Sequence, residues 1–296
     1  MSGADFSQPG YQPAIGHALA AEQAAVIVPA HNESLGIRRC LRHLSTDEAL
    51  VVVVANGCDD DTAAQARSFN DVVVIERAEP SKVEALNEGD RSARGLMPRI
   101  YLDADVELDG RSLTALVAAL RSEAAPLLAI PRPVFDTTGS SFPVRAFFRI
   151  YRKMPYVSEG FAGAGCYAVN AAGRQRWDSF PKVVADDLYV HGLFGESERV
   201  VVGDSVCVAR APRTLKALIA VRVRTYVGNR QLDLEGLSGE MAGSTSRSLK
   251  ALARLLVKEP ARLLDGALYI GINLLARRRS RRQQAGGPWL RDLSTR

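Results

Sequence analysis

The run Ala24-Ala25-Val26-Ile27-Val28, closed by Pro29, is continuously apolar, the pattern of a strand buried on both faces of a parallel sheet. Asn32-Glu33-Ser34 follows and can cap a helix whose apolar positions Ile37, Leu41 and Leu44 recur at helical spacing. This alternation repeats. Val51-Val52-Val53-Val54 predicts a second strand ended by Asn56-Gly57, Asp59-Asp60-Asp61-Thr62 opens a helix through Phe69, and Val72-Val73-Val74-Ile75 predicts a third strand. A further helix fits residues 82–96, and Arg99-Ile100-Tyr101-Leu102 is a fourth strand running into Asp103-Ala104-Asp105. Strands alternating with helices of about 10–15 residues form βαβ units. The expected fold class is therefore α/β, a mostly parallel central sheet with helices on both faces.

Beyond Leu120 the strand signals weaken to residues 127–130, 166–169, 200–202 and 206–208. Between them lie a stretch around Pro131 and Pro133 and the Gly-rich loop of residues 160–165. Residues 235–248 read as a Gly/Ser linker. Two helical segments follow, 248–257 and 261–278, parted by Glu259-Pro260. The apolar stretch of the second is well short of the roughly 20 residues that span a bilayer, so it packs on protein or lies in a membrane interface.

At 296 residues, a prior of about 150 per domain suggests two domains. The strand pattern revises this to a disordered leader (1–22), one catalytic domain (23–234) and a helical extension with a basic tail (235–296). Hydrophobic residues at 47% and charged residues at 24% exclude a disordered chain or a fibre. The net charge of +5 is concentrated in Arg277, Arg278, Arg279, Arg281 and Arg282. A basic run after an apolar segment points to anionic headgroups or to plain solvation, and no nucleic acid partner is expected. Cys40, Cys58, Cys166 and Cys207 show no CxxC spacing, which argues against a zinc site and a disulfide framework. Residues 1–22 hold no Lys or Arg, so a secretory signal is not expected. The localisation expected is cytoplasmic, with peripheral contact at the inner membrane face through the basic helix as one option.

Ligands of such sheets bind beyond the carboxyl ends of the strands, where His31-Asn32-Glu33, Asn56 and Asp103/Asp105 all fall. Asp103 and Asp105 project to one side and can grip a divalent cation, Mg²⁺ or Mn²⁺, that bridges to a diphosphate. The bland alternative is a pair of turn aspartates. Asp186-Asp187 interrupts an apolar run; adjacent carboxylates push one pKa upward, which suits a general base, while a helix N-terminus favours acids equally well. His191 shares a helical face with Asp187 and is either a third metal ligand or a packing histidine. Lys82 can approach a phosphate as a point charge. Arg213, Lys216, Arg222, Arg224 and Arg230 sit among apolar residues, as a diphosphate clamp or acceptor groove, or as a helix with snorkelling stems.

Residues 26–33 (Val-Ile-Val-Pro-Ala-His-Asn-Glu), 53–62, 82–89, Asp103-Ala104-Asp105 and Asp186-Asp187 together resemble, in order and spacing, the family 2 glycosyltransferases of the GT-A fold, over residues 24–232. The resemblance implies a GT-A nucleotide-diphospho-sugar transferase fold and a metal-dependent, inverting transferase. Such an enzyme moves a sugar, a hexose by class, from a nucleotide-diphosphate donor to an acceptor hydroxyl. It further implies that the Pro29-Ala30 backbone and Glu33 lie along the nucleoside, Asn56 faces the base, and Lys82 approaches base or phosphates. Asp103 would sit near ribose and metal, Asp105 would ligate the cation, and Asp187 would be the catalytic base. Arg224 matches the basic position that follows in the family.

Two departures stand out: Asn56 replaces a common Asp, leaving the nucleotide open, and no Gln-x-x-Arg-Trp pattern is present. The chain also lacks the several spanning helices of processive synthases, which favours single addition to a glycan, a lipid-linked sugar or a small molecule. The competing readings are a haloacid-dehalogenase-like phosphatase, whose Asp-x-Asp strand normally opens the domain, and a non-catalytic nucleotide-binding module. A dinucleotide oxidoreductase is disfavoured because no G-x-G-x-x-G follows the first strand.

Overall fold

The computed structural model describes residues 23–44, 47–158, 164–237 and 244–283. The leader (1–22), most of the Gly-rich loop, the centre of the linker and the end of the basic tail fall outside these residues.

The first half alternates strand and helix: β1 (Ala24–Ala30), α1 (Ser34–Arg42), β2 (Ala49–Asn56), α2 (Thr62–Arg67), β3 (Val72–Arg77), α3 (Lys82–Ser92) and β4 (Arg99–Leu102). Then come β5 (Val106–Leu108), α4 (Gly110–Arg121), β6 (Leu128–Asp136), α5 (Phe142–Tyr151), α6 (Pro155–Ser158), β7 (Cys166–Val169) and α7 (Ala171–Arg174). The chain ends in α8 (Asp186–Gly192), β8 (Arg199–Arg210), α9 (Leu215–Leu234), α10 (Ser244–Lys258) and α11 (Leu263–Ser280).

The eight strands form one sheet in the order β3-β2-β1-β4-β7-β6-β8-β5. β3, β2, β1 and β4 run parallel, as do β6 and β8, while β7 and β5 are antiparallel to their neighbours. Successive residues of β1 serve opposite covers: Val26 and Val28 meet Ile37, Leu41, Leu113 and Leu116 of α1 and α4, whereas Ile27 meets Val83 and Leu86 of α3. Burial on both faces is why β1 and β2 read as unbroken apolar runs. A third core gathers Phe147, Phe148, Val223, Val227, Tyr269, Ile272 and Ala276, which ties α11 to α5 and α9.

Three elements differ from the expected pattern. β6 runs through Pro131 and Pro133, because β7 pairs only with Leu128 and Ala129 and leaves the missing N–H groups on an unpaired edge. The segments 200–202 and 206–208 are one strand, β8, whose register shifts opposite Pro131/Arg132. α3 stops at Ser92 rather than Leu96; the buried Arg99 donates to the carbonyls of Asp90, Ala93 and Leu96 and closes the helix end.

Candidate active site

At the end of β1 the backbone enters the left-handed region at Asn32 (φ 50°), a conformation that Asn tolerates. Its side chain accepts from Asp59 N–H (2.7 Å), and Thr62 Oγ1 accepts from Glu33 N–H (2.7 Å). These bonds hold His31, Asn32 and Glu33 half-buried at the cleft rim. Residues Pro29 and Ala30 are buried beneath it.

Asn56 closes the end of β2. It is 2% exposed and its amide is fully engaged, donating to Ala30 O (2.7 Å) and accepting from Ser81 N–H (2.9 Å). The side chain staples the ends of β1 and β2 to the start of α3. Gly57 permits this closure: its φ is +55°, and a Cβ there would meet Pro80 at 2.6 Å.

The acids converge from three elements. Lys82, in the first turn of α3, places Nζ 2.8 Å from Asp103 Oδ1 at the end of β4 and 2.9 Å from Asp186 Oδ1 at the start of α8. Burial pulls the Lys82 ammonium down, but the charges of Asp103, Asp186 and Asp187 outweigh it and hold the pKa above the usual lysine range. Asp187 is pushed up to about 7 by burial and then by Asp186, against the pull of Lys82 and of the Leu188 N–H that donates to it at 2.8 Å. Asp105 is open to solvent, yet surrounding protein desolvates its carboxyl; this and then the Asp103 charge raise its pKa, while Arg224 lowers it. Gly165, at φ +78°, lets the chain pass Asp103: its carbonyl accepts the Asp103 N–H at 2.8 Å, and a Cβ would lie 2.7 Å from Val106 and 3.0 Å from Asp103 Oδ2. The Glu33 carboxylate lies against Gly36, next to the Ala104 carbonyl, so it borders the same turn.

The Asp186-Asp187 pair opens α8, as its helix-start reading expects, and Asp186 also meets Lys82. Beneath it, Tyr167 donates to Asp186 Oδ2 (3.4 Å) and stacks on Tyr101 at 5.0 Å, and Tyr101 donates to the buried Asp90, which is paired with Arg99 and Arg174. No motif marks this support. His191 is buried and held neutral, its pKa lowered to about 4 by burial and then Arg199. It is a packing histidine. Among the described residues no three His, Cys, Asp or Glu side chains are grouped to hold a metal.

The arginines of α9 divide. Arg224 faces Asp105, Lys216 is exposed, and Arg230 donates to the Gln283 carbonyl. Arg222 stands in an aromatic box that sequence reasoning missed. Its guanidinium lies 5.1 Å from the Tyr226 ring centre, 5.7 Å from Tyr151 and 5.9 Å from Phe147, braced by Asn273 (3.2 Å) and Tyr226 (3.3 Å). Tyr156 and Tyr269 close it through a 2.9 Å hydroxyl contact. Burial is the first cause that raises the Tyr151 pKa, and the Arg222 charge opposes it. The only sequence signal was the one-turn spacing of Arg222 and Tyr226.

The model of the family "Glycosyl transferase family 2" matches residues 25–179, and the chain belongs to this family. It is a glycosyltransferase, which removes the phosphatase reading. Two solved structures share the fold. The mannosyltransferase PcManGT from Pyrobaculum calidifontis, in complex with GDP-Man and Mn²⁺, is similar at 23% identity and TM-score 0.58, over 84% of this chain and 74% of that one. Glucosyl-3-phosphoglycerate synthase from Mycobacterium tuberculosis, in complex with Mn²⁺, UDP-glucose and phosphoglyceric acid, is similar at 21% identity and TM-score 0.51, over 79% of this chain and 88% of that one. These likenesses establish the GT-A fold. No match was found among curated proteins. Among the described residues no helix is long and apolar enough to cross a membrane, and the four cysteines are free.

Proposed function

We propose that the chain transfers a hexose from a nucleoside-diphosphate sugar to an acceptor hydroxyl by one inverting displacement, adding a single sugar per cycle. The observation that carries this reading is the Lys82 bridge between Asp103 and Asp186, with Asp187 alongside and raised to about 7. Two carboxylate-bearing strand and helix ends are thereby fixed at one point, and the neighbouring carboxyl is tuned to take a proton near neutral pH.

Asp187 accepts the acceptor hydroxyl proton as that oxygen bonds to the anomeric carbon. The bond from that carbon to the diphosphate oxygen breaks, and its electron pair leaves with the nucleoside diphosphate. Asp103 and Asp105 fit a hard divalent cation: desolvation and then the neighbouring Asp103 charge raise the Asp105 carboxyl, and such an ion would offset both. When bound, Mg²⁺ or Mn²⁺ stabilises charge on the departing diphosphate. Lys82 and Arg224 add fixed positive charge at the same end of the cleft. The nucleoside is assigned to the rim of His31, Asn32 and Glu33, with Pro29 and Ala30 as buried support. The acceptor is assigned to the side lined by Tyr151 and Arg222. The Mn²⁺ and nucleotide-sugar complexes of the two similar structures support this reading.

The test is a thermal-shift screen of nucleoside diphosphates and their sugars with and without Mn²⁺, followed by Asp187→Asn. A stabilising nucleotide sugar should still shift the melting point of the variant while transfer is abolished. Loss of the shift in Asp187→Asn would instead put Asp187 in the donor site, and no shift by any nucleotide would overturn the proposal.

A further inference from the structure

Between Leu263 and Ala276 helix α11 is apolar except for Asp265 and Asn273, which lie on its covered side, and its other side is left exposed. Gly266, Tyr269, Ile272 and Ala276 turn inward, against Leu256 of α10 and the core shared with α5 and α9. On the opposite side Leu263 and Leu264 keep 60% of their surface and Leu274 61%, with Ile270 and Leu275 at 39%. Positions 263, 267, 270 and 274 follow the i, i+4, i+7, i+11 rule, so these side chains form one continuous stripe. Scattered exposed leucines need no explanation; a contiguous stripe along three turns does.

The same helical line continues into Arg278, Arg281 and Arg282, with Arg279 beside them. Among the described residues none of these four arginines pairs with an acid. The acids of the two C-terminal helices, Glu259 and Asp265, are engaged by Lys153, Arg149 and Arg262. The surface is thus an apolar stripe ending in uncompensated guanidinium groups. The matching face of a second copy offers those cations no free acid, whereas a phospholipid layer offers acyl chains and phosphates side by side.

We propose that α11 docks this outward face on an anionic lipid bilayer, lying in the surface plane with Leu264, Ile270, Leu274 and Leu275 in the interface and the arginines at lipid phosphates. The inner side of the same helix carries Tyr269 and Asn273, which hydrogen-bond Tyr156, Tyr226 and Arg222. Docking therefore sets the aromatic box one helix diameter from the lipid. The docking stands on the chemistry of this surface and is independent of the transfer reaction.

The test is co-sedimentation of the full chain with phosphatidylcholine vesicles, with and without phosphatidylglycerol, across a salt series. The chain should bind only the mixed vesicles, and less so as salt rises. Replacing Leu274 and Leu275 by Gln should cut binding on the order of tenfold or more. Replacing Arg278, Arg279, Arg281 and Arg282 by Gln should cut it on the order of a hundredfold and remove the dependence on phosphatidylglycerol. Thermal melts of each variant report folding, and Leu274→Ala with Leu275→Ala serves if the glutamines unfold it. Absence of vesicle binding, equal binding to neutral vesicles, or full binding by both variants would overturn the proposal. So would a concentration-dependent dimer that these leucine substitutions abolish, seen without lipid binding, which would assign the stripe to a contact between copies.

Discussion

Asp187 carries two opposite pH dependences. With its pKa at about 7 in the folded protein, it holds a proton between about pH 4 and 7 that the unfolded chain has already released. Its contribution to stability therefore falls as pH rises across that window and is level above it. Activity runs the other way, because only the ionised carboxylate takes a proton: kcat/KM should climb through about pH 7 and then level. Lys82 favours the ionised form, so Lys82→Met should move this acidic limb upward by about one unit, read from initial-rate profiles of both proteins. A limb that stays in place or moves down would separate Lys82 from the tuning of the base. At this scale the sequence was informative about charge and poor about exposure. Adjacent acids ending an apolar run are visible as letters, and so was the conflict between a helix start and a base. That Asn56 is 2% exposed and bonded on both sides of its amide depends on where β1, β2 and α3 meet, which no local pattern encodes.

Elements buried on both faces announce themselves, and β1, β2 and β4 were legible because nothing polar interrupts them until the site begins. β8 was read as two strands because Gly203 and Asp204 break its apolar pattern, although pairing with β6 carries it through. The turn around Asp103 depends on a distant glycine, and that dependence can be measured. Gly165→Ala adds the cost of a left-handed backbone, about 1–2 kcal/mol, to an overlap with Val106 and Asp103 worth about 1–3 kcal/mol more. Gly95→Ala, at φ +85° with nothing within 4 Å, carries the backbone cost alone. Urea unfolding should rank wild type above Gly95→Ala and Gly95→Ala above Gly165→Ala, with only the last also weakening nucleotide-sugar affinity. Equal stability losses would mean that the Asp103 turn yields freely.

Across the whole molecule the proposed donor and acceptor sides rest on different supports. The acids assigned to the donor end, Asp103 at the end of β4 and Asp186 at the start of α8, are bridged by Lys82 of α3. The aromatic box depends on α11 being held against α5 and α9 by contacts between residues 47 to 116 positions apart, which is why Tyr151, Tyr156 and Tyr269 carried no signal in the sequence. Arg149 and Asp265 form the main polar clamp, two hydrogen bonds of 2.7 and 2.6 Å across this junction. Asp265, Tyr269 and Asn273 follow one another at i+4 on α11, so the clamp and the box share one face of the helix. The Arg149 hydrogen bonds are the main reason that the Asp265 carboxyl sits below its ordinary range. That stabilisation is present at neutral pH and is lost as acidification protonates the group, below about pH 4. Asp265→Asn should therefore cost about 1–3 kcal/mol at pH 7 and flatten the loss of stability below about pH 4, measured by denaturation at several pH values. In the same variant the acceptor KM should rise severalfold while nucleotide-sugar affinity stays within twofold, because the loosened helix carries Tyr269 and Asn273 but none of the donor-side acids. A matching loss of donor affinity would show that the two sides of the cleft are one mechanical unit, with α11 supporting both.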